Sequence, residues 1–145
     1  MGPGVIVAIV VVVIAIVFVA SRNNKSGKQS RANQDFMKSM DEKAKQRNIL
    51  ATNARTKDDD YGFSPDNPIM ESTVHSSYQF LDRLCTADGK PVTYDRICSM
   101  AGNPGGIPVI VDKYILSVDE KQIKELYICA YAHTLNIAPK GFMLK

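Results

Sequence analysis

The side chains with the widest chemical range in this chain are few and far apart: His75 and His133, and the cysteines Cys85, Cys98 and Cys129. A zinc site needs paired ligands at short intervals that a small domain can bring to one tetrahedral point, and none of these residues forms such a pair. Nucleophilic catalysis needs a thiol or hydroxyl held against an imidazole that a third group orients. Cys85 with His133 could supply two members of that set, yet no strained turn of the Gly-x-Ser-x-Gly type presents a nucleophile. Cys98 and Cys129 are expected to serve as small buried apolar residues on strand faces. Three thiols are an odd number, which fits a reducing compartment better than a disulfide framework.

Asp58-Asp59-Asp60 invites a cation, but neighbouring side chains of an extended segment alternate in direction, and no glycine and distal glutamate follow at calcium-loop spacing. A solvated acidic loop is the expectation. Gly102 to Gly106 could cradle an anion through its N–H groups, but it lacks the Gly-x-x-x-x-Gly-Lys spacing and leads into a strand, so it reads as a turn. No catalytic, cofactor-binding or metal-ligating residue is assigned, and no cofactor is expected.

The residues that do carry a signal lie at the amino-terminal end. Val5 to Ala20 is an unbroken run of sixteen apolar residues, and the first charge after Met1 is Arg22. A helix rising about 1.5 Å per residue needs roughly 20 apolar residues to cross the hydrocarbon core, so residues 1–21 suffice for a single transmembrane helix. Val and Ile are weak helix formers in water, but lipid offers the backbone no other partners and forces helix. A cleaved signal peptide would open on a positive region and close on a small-x-small site; here the start is Met-Gly-Pro-Gly and the end Phe18-Val19-Ala20. Ile6 stands where N-myristoylation needs Ser or Thr. An uncleaved signal-anchor is therefore expected.

Arg22, Lys25, Lys28 and Arg31 form a basic cluster beside the membrane, with no basic residue on the other side of the apolar run. The positive side stays in the cytoplasm, which predicts a single-pass protein of the cell membrane with its N terminus out and its C-terminal domain cytoplasmic. Asn24-Lys25-Ser26 has the form of a glycosylation sequon but lies on the side predicted to be cytoplasmic.

Charge divides the rest of the chain. Residues 22–57 carry ten Lys and Arg against three acids, and residues 58–145 carry eight against twelve, so the net charge of +3 conceals a basic stalk and a mildly acidic domain. Residues 22–33 have the polar composition of a basic flexible linker. Over residues 34–57 Met37, Met40, Ala44, Arg47, Ala51 and Ala54 recur in steps of three and four, which predicts a second, amphipathic helix. Arg47 and the alanines make a poor coiled-coil seam; packing on a domain, or lying along an anionic bilayer, are the alternatives.

Residues 58–145 read as a small antiparallel β-meander of about four to five strands, giving an α+β chain. Tyr78, Phe80 and Leu84 alternate before Ala87-Asp88-Gly89-Lys90 and Val92, Tyr94, Arg96 and Cys98 after it, predicting a hairpin closed by a type I′ turn at Asp88-Gly89. Residues 76–85 also fit a helical period through Tyr78, Leu81 and Leu84, so helix stays open there. Pro108 to Leu116 reads as a central strand, Leu126 to Ala132 as its partner across a longer loop, Ile69 to Val74 as a further strand, and Asn136 to Lys145 as a tail. So small a sheet needs a cover, and the 34–57 helix is the expected one.

In outline this layout resembles that of type IV pilins and pseudopilins, although the chain reads without their basic leader and without a glutamate after the start of the apolar run. The likeness implies an alternative, an exported or pilin-like envelope protein with its domain outside. A membrane-tethered enzyme is the third class. The reading adopted is a membrane-anchored, non-catalytic binding or scaffolding domain whose partners are the lipid bilayer, its anionic headgroups and another membrane protein. Nucleic acid is not an expected partner, because the domain is net acidic and lacks interleaved basic and aromatic residues.

Overall fold

A computed structural model describes residues 30–145, so the apolar run, Arg22, Lys25 and Lys28 lie outside the described residues. No helix among the described residues is long and apolar enough to cross a membrane. Among the described residues the chain divides into two units, the first ending at Lys43 and the second spanning Ala44–Lys145. The described part of the first is helical, and Arg31, Phe36, Met37 and Met40 are all exposed.

Helix α1 occupies residues 30–53, ending four residues earlier than the periodicity predicts, and a run of turns carries the chain to β1, Ile69–Met70. Asn67, only 2% exposed, organises those turns. Its amide donates to Arg55 O (3.1 Å) and Asp60 Oδ1 (2.8 Å), and its Oδ1 accepts from Arg55 N (3.1 Å). The aspartate run does not face solvent alone: Asp58 and Asp60 bond the Arg55 guanidinium at 2.8 and 3.0 Å, and Asp59 bonds Lys140 at 2.8 Å.

The next element corrects the strand reading of residues 76–85. Val74–Arg83 is helix α2, and only Leu84–Thr86 is strand, β2. Thr73 caps the helix by accepting from Ser76 N at 3.0 Å, while Ser76 Oγ accepts from Thr73 N at 3.1 Å, a reciprocal box that satisfies two otherwise unpaired donors. Ser77, Phe80, Leu81 and Leu84 are the buried residues, spaced three, one and three apart as one helical face requires.

Strands β3 (Thr93–Gly102), β4 (Val109–Val118) and β5 (Lys121–Cys129) do form an antiparallel meander. The sheet is nevertheless mixed, with order β1-β5-β4-β3, because the short β1 runs parallel to β5. The supposed tail contributes β6, Phe142–Leu144, which pairs antiparallel with β2 in a separate two-stranded sheet. A helix between β1 and β2 carries the chain off the sheet, which is why the first predicted hairpin does not form.

Asp88-Gly89 still turns the chain, by another geometry. Gly89 N–H donates to Thr86 O at 2.9 Å and Thr86 N–H to Lys90 O at 3.0 Å, with Gly89 at φ +84° and Asp88 not among the positive-φ residues. That is a type I turn followed by a left-handed glycine, backed by a single bridge between Cys85 and Pro91. The two-residue I′ geometry occurs instead at Asp119 (φ +50°) and Glu120 (φ +64°), where a longer loop was predicted between β4 and β5.

Both faces of the sheet are covered. Ile69, Leu126 and Ile128 pack on one face with Tyr114, Leu116 and the α2 residues Phe80 and Leu81. The alternate residues Met70, Tyr127 and Cys129 pack on the other with Val111, Ala132 and Leu50. The expected cover by α1 is thus confined to its last turn: Leu50 is buried and Ala54 packs beside it, whereas Ala44 and Arg47 are exposed. Burying side chains such as Phe80 and Leu81 contributes about 1.5–3 kcal/mol each, so α2 is the stronger cover. β3 is an outer strand with an extra residue, Ile97, between the paired Arg96 and Cys98.

Candidate functional site

The residue that stands out chemically is Glu71, directly after β1 and 1% exposed. Its backbone N–H donates to Cys129 O and its carbonyl accepts from Ala132 N, both at 2.9 Å, so the backbone ladder fixes the side chain in the interior. Thr134 Oγ1 donates to Glu71 Oε2 at 2.9 Å, while Oε1 is buried without any hydrogen-bond partner. Burial raises the pKa of this carboxyl; the hydroxyls of Ser76 and Thr134 and the charge of Arg83 oppose that shift.

Glu71 and Thr134 line one side of a cleft of about 540 Å³. The opposite wall is α2, where Ser76, Gln79 and Arg83 recur at helical spacing beside the buried face, joined by Asp82. Arg83 Nη2 donates to Asn136 Oδ1 at 2.7 Å, tying the helix end to the segment after Thr134. Asn136 has φ +50°, a conformation that asparagine tolerates better than most residues. On the rim, Tyr94 O–H donates to Asp82 at 2.7 Å, and burial followed by that bond holds the phenol up to about 12. Tyr94 stacks on Tyr78, and both meet Tyr114 edge-on at 6.1 and 6.5 Å between centroids.

A second cleft, about 510 Å³, lies on the face where Ile115 and Ile123 emerge between β4 and β5, with Lys124 Nζ 4.6 Å above the Phe63 ring. It holds no buried polar group, which makes the Glu71 cleft the better defined of the two.

The thiols and imidazoles are dispersed. Cys85 is buried in β2 with Sγ donating to Met143 O at 3.4 Å; Cys129 is buried on the sheet, and its burial pushes the thiol pKa up. Cys98 is exposed beside the Ile97 bulge, which corrects the buried reading. His75 lies in the first turn of α2 and His133 before Thr134, both exposed. Among the described residues no group of three metal-capable side chains comes together. Of the four residues of the basic cluster, Arg31 alone is described, exposed in the helix, and Arg22, Lys25 and Lys28 lie outside the described residues. Glu71 was not singled out from the sequence. The signal was a lone acid between the apolar pair Ile69-Met70 and a capping sequence, but its partner Thr134 is 63 residues distant. Comparison with protein-family models, characterised proteins and solved structures finds no match for this chain.

Proposed function

We propose that this chain is a single-pass membrane-anchored protein whose α+β domain is a non-catalytic binding module presented at the cytoplasmic face of the cell membrane. The carrying observation is the uncharged stretch from Gly2 to Ser21 followed directly by the basic cluster Arg22, Lys25, Lys28 and Arg31. The bilayer and its anionic headgroups are its first partners, since each Lys or Arg near such a surface contributes about 1 kcal/mol. The Glu71 cleft supports a binding role, because its acid, amide, hydroxyl and guanidinium groups can hold a small polar ligand.

Fractionation tests the anchor. A helix held by burial resists high salt and alkaline wash, so the chain is expected in the membrane pellet after both. Recovery of a soluble protein beginning near Ser21 would instead establish a cleaved signal peptide. Protease treatment of intact cells decides the compartment: a protected domain supports the cytoplasmic reading, and a digested one supports the exported, pilin-like reading.

A further inference from the structure

We infer that the cleft between α2 and the 134–136 segment binds a small zwitterion of the amino-acid class, in which an ammonium and a carboxylate are one or two carbons apart. This rests on reading the domain as a binding module but not on the membrane anchor.

The cleft has two poles of opposite sign. At the negative pole Glu71 Oε1 is buried with no hydrogen-bond partner, the Ser76 hydroxyl donating instead to Thr73 O at 3.0 Å, and an unsatisfied buried acceptor is a standing loss that an incoming N–H removes. Asp82 adds a second carboxylate, of which the bond from Tyr94 occupies Oδ1. At the positive pole Arg83 makes no ion pair among the described residues. Asn136 takes one of its five N–H donors, leaving the planar fork able to accept a carboxylate. Arg83 and Glu71 line the same cleft, so one short ligand can meet both poles. Glu71 Oε1 is not exposed at the cleft surface, but the outer torsion of a glutamate is soft, and an ammonium that meets the turned carboxyl offsets the strain on its bond from Thr134.

Monopolar ligands fit less well. A simple carboxylate meets Arg83 but also the field of Glu71 and Asp82, and a simple amine leaves Arg83 without a counter-ion. Gln79, on the wall between the poles, offers both a donor and an acceptor to the substituent on the central carbon.

The test is titration of the purified full-length chain, followed by calorimetry and by melting temperature, with glycine, alanine and serine as zwitterions, propionate as the acid and ethylamine as the amine. Dipeptides and alaninamide separate a free amino acid, which needs its own carboxylate, from a peptide amino terminus, which offers only a carbonyl. Saturable binding of at least one zwitterion, roughly tenfold tighter than the acid or the amine, is the expected result. Glu71→Gln and Arg83→Gln should each weaken it by roughly tenfold or more while the parent fold persists by circular dichroism. Lys124→Gln, in the other cleft, should leave it unchanged. The inference is overturned if no zwitterion binds at millimolar concentration, if propionate or ethylamine binds as well, or if both cleft variants bind like the parent. Release of the chain from membranes by alkaline wash would sink the anchor without touching this titration, so the two failures are told apart.

Discussion

Gly102 shows how one atom can matter where the backbone is closely approached. A Cβ there would collide with the Pro65 carbonyl oxygen, a backbone atom fixed by the Asn67 turn network, and would also press on Val111. Gly102→Ala should therefore destabilise the domain by about 1–3 kcal/mol in chemical denaturation, the range for overpacking. Glu71 makes a different prediction. Its folded pKa is raised, so the native state keeps this proton to higher pH than the unfolded chain does. Its favourable contribution is fully present below the unfolded value of about 4.3 and is lost as pH rises through the folded value. Glu71→Gln keeps an acceptor for Thr134 and cannot ionise. Its melting temperature relative to the parent should rise as pH climbs from the unfolded value through the folded one, and a flat difference would show that Glu71 carries no raised pKa.

Among the elements, α2 separates what the sequence reveals from what it conceals. The alternation Tyr78, Phe80, Leu84 suggested a strand because Ser77, a small polar residue, hid the true buried face of Ser77, Phe80, Leu81 and Leu84. The cap was equally easy to miss, since Ser76 stands where the usual box has Glu or Gln. Thr73→Ala removes that cap and should cost about 1 kcal/mol, read as a lower denaturation midpoint. The meander β3-β4-β5 was legible, because its β-branched runs are long and local. The parallel pairing of β1 with β5 and the pairing of β2 with β6 were not: each joins segments more than fifty residues apart, and local pattern carries no trace of such partners. At the β4-β5 turn Glu120 holds a left-handed conformation costly for any residue with a Cβ. Glu120→Gly should stabilise the domain by about 0.5–1 kcal/mol once the entropy of glycine is offset. A lowered melting temperature would mean that the Glu120 side chain contributes more than its strain.

For the whole molecule the informative quantity is the distribution of charge along the chain. If the membrane-proximal basic cluster sets orientation, replacing Arg22, Lys25, Lys28 and Arg31 together by neutral residues should move a fraction of molecules to the opposite topology, visible as new protease sensitivity of a reporter fused after Lys145. An unaltered protein whose reporter is already outside would refute the orientation. The candidate cleft was not legible in the sequence. Its walls come from residues 71–83 and 134–136, and only folding brings Thr134 and Asn136 to Glu71 and Arg83.

The bulge at Ile97 bears on what happens when copies of this chain meet. A ten-residue outer strand such as β3 is a template on which a neighbour's strand could extend the sheet from one molecule to the next. The extra residue puts the donors and acceptors on its two sides out of step, so an intruding strand can match one half of the edge but not both. Arg96, paired to Asp112 at 2.8 Å, sets a charge beside the break. A feature that looks like a local irregularity of the ladder thus acts as a guard against edge-to-edge polymerisation.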